Sequence, residues 1–197
     1  MNRIPIDLSH LRDNADLKYA AKHQIEAALA FHGQVFTDHY RDGKLIHSMD
    51  QGHNTFTTEG MARILNIVFR AQATEAAIYV GIFKNNVSPA VGDTAAVKLG
   101  AAGTYGECQD ADYDSPATNR PAYTIAATSS AACTNTASPA SFTMHASITV
   151  YGAFLASSQA KTATTGTLFC AKAFAAPRAV IDADVLAVTY VLSCTTS

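Results

Sequence analysis

Seven histidines, four cysteines and a few closely spaced carboxylates are what this 197-residue chain offers for chemistry. His32, His39, His47 and His53 share one polar stretch. Their spacing fits neither the His-Glu-x-x-His helix of metalloproteases nor a zinc finger. Solvated or interface imidazoles are expected instead, which would make assembly mildly pH-sensitive. Cys108, Cys133, Cys170 and Cys194 lie far apart without a Cys-x-x-Cys pair, so buried thiols are expected rather than a zinc site. A Cys170–Cys194 contact between neighbouring strands would allow a disulfide only in an oxidising medium. Asp110-Ala111-Asp112-Tyr113-Asp114 starts like a calcium loop but lacks the turn glycine and the distal glutamate. Asp182 and Asp184 could mimic a glycosidase pair, but residues of this kind more often bound a turn between strands. No nucleophile elbow, Walker loop or dinucleotide fingerprint occurs. The expectation is a non-enzymatic chain with no catalytic residue, cofactor or metal.

Composition narrows the partners. Charged residues make up 15%, well under the roughly 25% of an ordinary soluble domain. Such a surface is coated with Ser, Thr and Ala, or is covered by neighbours. A net charge of −2 gives no long-range attraction to nucleic acid or to an anionic membrane. No run reaches the roughly 18 apolar residues of a membrane span, and the start, Met1 to Asp7, lacks the apolar core of a signal peptide. Folding in a reducing cytoplasm is expected. There is no Trp, and basic residues do not cluster with aromatics, which disfavours single-strand or sugar stacking. Tyr105, Tyr113 and Tyr123 are the aromatics a sugar site would need; packing beside the Arg120-Pro121 turn is the simpler expectation.

Charge also divides the chain. From Pro121 onward only Lys161, Lys172, Arg178, Asp182 and Asp184 are charged. Residues 1–49 read as an N-terminal arm. Its helix, capped by Asn14 and running to Phe31, carries a stripe of Leu17, Ala21, Ile25, Ala28 and Leu29. That stripe cannot bury itself and is assigned to a partner surface. Residues 50–197 read as a β-rich domain. A short packed helix follows Thr57 or Thr58, with Met61, Ile64, Leu65, Val68 and Phe69 at helical spacing. Strands are expected over 77–83, from Arg120 to Ile125, and over 140–145, 147–155, 168–174 and 185–192. The fold class is mainly β: an antiparallel sandwich or barrel with one packed helix and a helical arm.

Several segments carry a resemblance. The stretch from Gly52 to Met61 contains Asn54-Thr55-Phe56-Thr57-Thr58-Glu59-Gly60 and leads into a helix, then into Ile78-Tyr79-Val80-Gly81-Ile82-Phe83. This pattern resembles small virion structural proteins of tailed bacteriophages. Thr118-Asn119-Arg120-Pro121-Ala122-Tyr123, Val150-Tyr151-Gly152-Ala153-Phe154-Leu155, Gly166-Thr167-Leu168 and the run from Asp184 to Tyr190 fit the same pattern. It covers about residues 50–197 and has no counterpart in the arm. The resemblance implies a virion component assembled in the host cytoplasm. It would be a capsid decoration or cement protein that clamps adjacent copies of the major capsid protein, or binds another virion protein, as a homo-oligomer. A tail, collar or fibre-anchoring protein and a carbohydrate-binding sandwich are the alternatives.

Overall fold

The computed structural model describes residues 29–125 and 130–196. Among the described residues, ten strands form two antiparallel sheets. In chain order they are β1 (Leu29–Arg41), β2 (Lys44–His53), β3 (Thr55–Phe56), β4 (Tyr79–Phe83), β5 (Tyr113–Ser115), β6 (Ala132–Thr134), β7 (Ala140–Met144), β8 (Ile148–Ala156), β9 (Leu168–Val180) and β10 (Val185–Thr196). The larger sheet has the order β2-β1-β10-β7-β5, with β6 also on β10; the smaller has the order β3-β9-β8-β4. Helix α1 (Thr58–Arg70) lies against β9, and α2 (Ala95–Lys98) sits in the long connection after β4. Among the described residues no helix is long and apolar enough to cross a membrane.

Period-two alternation builds the core. Val35 on β1, Phe142 and Met144 on β7, and Leu186, Val188 and Tyr190 on β10 all point inward from the larger sheet. They meet Val80, Ile82, Val150, Leu155 and Cys170 from the smaller sheet. The smaller sheet is buried on its outer face too. There Phe83, Phe154, Leu168 and Ala171 pack under Leu99 and Tyr105 of the β4–β5 connection. This double burial explains why β4 and β8 read as continuous apolar runs rather than alternating ones.

The Tyr-x-Gly-x-Phe pattern of β4 and the Tyr-Gly-x-Phe pattern of β8 have a joint explanation. Antiparallel pairing sets Gly81 opposite Phe154 and Phe83 opposite Gly152. A Cβ on Gly81 would lie 2.1 Å from the Phe154 ring, and one on Gly152 would lie 2.1 Å from the Phe83 ring. Each ring therefore lies over the other strand's glycine, and Tyr105 stacks on Phe83 with ring centroids 4.7 Å apart.

The helix start follows the sequence reading. Thr57 is the N-cap, accepting from the Gly60 N–H at 2.9 Å, with Glu59 in the first turn and Arg70 in the last. Glu59 also accepts from the backbone N–H of Ala95 and of Leu168, pinning the helix to two distant segments.

Residues 29–53 require a correction. The stripe residues Leu17, Ala21, Ile25 and Ala28 lie outside the described residues. Leu29, taken as the last of that stripe, instead opens β1, so the helix expected to reach Phe31 does not include 29–31. Residues 29–53 form a hairpin within the larger sheet, and the arm boundary expected at 49 falls inside β2. Asp42 and Gly43 take φ values of 51° and 71°, the two positive angles of a type I′ turn, whose twist matches that of the flanking strands. Twelve residue pairs then register β1 on β10, and this pairing overrides local helix propensity. A smaller correction concerns Arg120 to Ile125, which forms no strand. It runs beside β4 through Val80 N–H to Pro121 O and Tyr123 N–H to Ile78 O, while Pro121 has no N–H to extend a ladder.

Gly81→Ala is expected to lower the free energy of unfolding by roughly 1–3 kcal/mol, because the Phe154 ring must move. Adding Phe154→Leu should recover part of that loss. A urea titration of the two variants and their combination checks this.

Candidate functional site

Three places hold the chemistry-bearing or unpartnered groups. The first is one end of the sandwich core, which is polar. Alternation along β1 turns Thr37 and His39 inward. Thr37 accepts from Gln51 of β2 at 2.7 Å. His39 is 1% exposed and touches Asp184 Oδ2 through Nε2 at 2.8 Å, and an Arg178 guanidinium nitrogen through Nδ1 at 3.1 Å. A guanidinium can only donate, so Nδ1 accepts and Nε2–H donates to the carboxylate. The result looks like an oriented base, but Arg178 occupies the place a nucleophile would need. Asp184 is equally buried and is gripped in a bidentate manner by Arg41 at 2.9 and 2.8 Å, with the Ile181 N–H at 2.9 Å. The Arg41 hydrogen bonds hold its carboxyl far below the usual range. Asp182 is exposed in the turn, so the two aspartates are not a facing pair.

His47 faces this cluster from β2, opposite His39 in register. Its Nδ1 is buried without a hydrogen-bond partner among the described residues. Burial, then the neighbouring Arg178 charge, then His39 push its pKa below the ordinary imidazole value.

The second place is a buried ionic network on the outer side of the smaller sheet. Glu107 and Arg120 are each 0% exposed and are joined at 2.6 and 2.8 Å. Arg120 also donates to Ser158 O at 2.5 Å and to Ala163 O at 3.1 Å, and lies over the Phe154 ring. The carboxylate in turn accepts from the Gly100 N–H at 2.7 Å. Burial pushes the Glu107 carboxyl upward against the opposing pull of Arg120. Nearby, Lys161 is 1% exposed, donates to Asp110 at 2.8 Å and to Tyr113 O at 2.7 Å, and sits 3.5 Å from the Tyr113 ring centroid. A polar cleft of about 440 Å³ opens here between Gln109, Asp110, Thr118, Asn119, Lys161 and Thr162. Its two charged groups neutralise each other.

This geometry settles several readings from the sequence. The three carboxylates of 110–114 diverge: Asp110 to Lys161, Asp112 to Lys84 at 2.6 Å, and Asp114 toward His145. Of the four clustered histidines only His39 and His47 are brought opposite each other. His32 bonds Thr195, His39 is buried, and His53 is exposed. Among the described residues no group of three His, Cys, Asp or Glu is placed to hold a metal ion. Tyr105, Tyr113 and Tyr123 are 0%, 0% and 7% exposed, which removes them as a sugar platform. Tyr105 donates to Asp93, and Tyr123 to Cys133 O and Tyr190 O. All four described cysteines are free, and Cys170 and Cys194 lie in different sheets rather than on neighbouring strands.

The third place is apolar, and no sequence motif announced it. At the end of the sandwich opposite His39, a groove of about 310 Å³ lies between Phe31, Phe56, Ile64, Cys133, Leu192 and Cys194. Beside it, α1 is apolar on two sides. Gly60 lies directly against the Phe169 backbone and Ile64 packs on the core. Leu65, Val68 and Phe69 face outward at 44%, 63% and 76% exposure. The helical stripe expected to pack inward is therefore split between the core and the surface.

Comparison with known protein families, with curated proteins and with solved structures finds no match to this chain.

Two outcomes follow from the buried groups. Glu107→Gln leaves the Arg120 charge uncompensated and should cost roughly 3–5 kcal/mol in urea titration, more than the paired change Glu107→Leu with Arg120→Met. Stability should also decline in acid in two stages. His47, held neutral in the fold, is protonated first in the unfolded chain, so stability falls as pH drops below roughly 6.5. Asp184, held ionised, contributes stability above the ordinary carboxylate pKa of roughly 3.9, and that contribution is lost as pH falls below it. Denaturation midpoints across pH should show His47→Gln flattening the first stage and Arg41→Met the second.

Proposed function

We propose that this chain is a non-enzymatic structural protein of a virion, one that decorates or cements a capsid by binding adjacent capsid subunits. The observation that carries the reading is the outward face of α1. Leu65, Val68 and Phe69 are large, contiguous and exposed on a chain with few charges, a pattern suited to a permanent interface. Support also comes from the resemblance of residues 50–197 to small virion proteins. The buried ionisable groups favour the same reading, because each is engaged by a structural partner or closed off from solvent. His39, Asp184, Glu107, Arg120 and Lys161 are all about 1% exposed or less, and each is held by a hydrogen-bonded ionic partner. The face of α1 is assigned to the major capsid protein or to another copy of this chain within a homo-oligomer. A tail, collar or fibre-anchoring role shares this chemistry and differs in copy number.

Purified particles should contain the chain in stoichiometric ratio to the major capsid protein; finding it at the tail vertex alone would overturn the capsid reading. Val68→Asp with Phe69→Asp should abolish incorporation while changing the isolated chain's stability by less than about 0.5 kcal/mol, since both side chains are exposed.

A further inference from the structure

Uncommitted hydrogen-bonding groups converge in the polar cleft formed by the β4–β5 connection, the segment after β5 and the β8–β9 loop. We infer that this cleft binds one unit of a neutral, hydroxyl-rich ligand, a saccharide, through Asp110, Asn119, Gln109, Thr118 and Thr162. The inference goes beyond the structural role proposed above and does not depend on it.

Charge decides the ligand class. Lys161 donates to Asp110 at 2.8 Å and to Tyr113 O at 2.7 Å, and its Nζ sits 3.5 Å from the Tyr113 ring centroid. Two of its three ammonium protons meet oxygen and the third meets the ring face, so none is left for an incoming anion. A cation would have to compete with Lys161 for Asp110. Glu107 and Arg120, the next charges inward, are 0% exposed and bound to each other. A ligand that gains from this cleft is therefore uncharged.

The remaining groups suit hydroxyls. Asp110 uses Oδ1 for Lys161 and for the Thr118 N–H at 2.8 Å, and its Oδ2 carries no hydrogen bond among the described residues. Gln109 commits its Nε2 hydrogens to Glu107 O and Lys161 O, both at 3.1 Å, which leaves its amide oxygen uncommitted. The Asn119 amide and the Thr118 and Thr162 hydroxyls engage no protein partner among the described residues. A sugar hydroxyl both donates and accepts, so neighbouring hydroxyls are met by a carboxylate oxygen beside an amide. Burial of the three tyrosines removes stacking as the means of recognition, and hydrogen bonding remains.

The cleft is also preformed. Its volume of about 440 Å³ falls within the roughly 300–1,000 Å³ of small-molecule sites. Its walls are tied together by the Lys161 N–H to Thr118 O at 3.1 Å and by the bridge of Asn119 with Ala160. Thr118 is held at φ 57°, a left-handed conformation that a threonine adopts only under constraint.

The test titrates the ¹⁵N-labelled full chain with the methyl glycosides of glucose, galactose, mannose and N-acetylglucosamine. At least one should shift the side-chain amide resonances of Gln109 and Asn119 saturably, with a dissociation constant of roughly 1–10 mM for a single ring. Asn119→Ala should weaken that binding at least fivefold at an unchanged melting temperature, because the Asn119 side chain bonds no protein group. Thr162→Val should weaken it as well. Glucose 6-phosphate and glucosamine should bind no more tightly than glucose. Tighter binding of the matching oligosaccharide identifies a polymer as the source of the ring, and equal affinity identifies the free sugar. The absence of a saturable shift with all four glycosides would overturn the inference. Equal affinity in the parent and in Asn119→Ala, or a preference for either charged sugar, would do the same.

Discussion

The pairing of Glu107 with Arg120 is the constraint on which the outer half of the structure depends. Both groups are fully removed from water, and such a pair is tolerated only when every donor and acceptor is matched. The matching partners are backbone atoms of Gly100, Ser158 and Ala163, from loops far apart in the chain. These loops can be right only together. Once they are set, Arg120 covers Phe154, Tyr105 stacks on Phe83, and the two glycines opposite those rings are obligatory. The long connection after β4 thereby becomes a third layer rather than a loose excursion.

The two ends of the sandwich are built on opposite principles. Where β1 meets the start of β10, the core is closed by His39, Asp184, Arg41 and Arg178, directional groups that fix one geometry and exclude alternatives. Where β1 begins, the described residues form an apolar groove, and no ionic group is among those that line it. Closure by ionic groups gives a rigid end. An apolar lining instead gains stability from any burial of matching shape, without fixing one geometry. The outward face of α1, with Leu65, Val68 and Phe69, adjoins the apolar end, since Ile64 of the same helix lines the groove.

Much of the smaller sheet could be read from sequence, because β4 and β8 are largely apolar runs rich in β-branched and aromatic residues and α1 has a Thr cap with Glu59 two residues on. The hairpin of β1 and β2 was hidden by an alanine-rich helical periodicity that runs straight into Leu29. Gly33 lies inside β1, where its missing side chain leaves room for Asn54. The Asp42-Gly43 pair was the overlooked signal. The groove was not legible at all. Its walls come from positions 31, 56, 64, 130–133 and 192–194, and only pairing between distant strands brings them together. The α1 stripe was visible, but its division between core and surface is decided by Gly60 against Phe169, a tertiary contact.

The register of β1 on β10 sets how the molecule responds to mechanical load. Leu29 lies opposite Thr196, so the first and last described strands end side by side. Tension applied through these two points pulls perpendicular to the strands and opens the ladder one rung at a time, starting at the groove. Tension applied between the Asp42-Gly43 turn and Thr196 would instead act along the strands and shear many rungs at once. The same pair of strands is thus weak to peeling and strong to sliding, and the direction from which a neighbour pulls decides which strength applies.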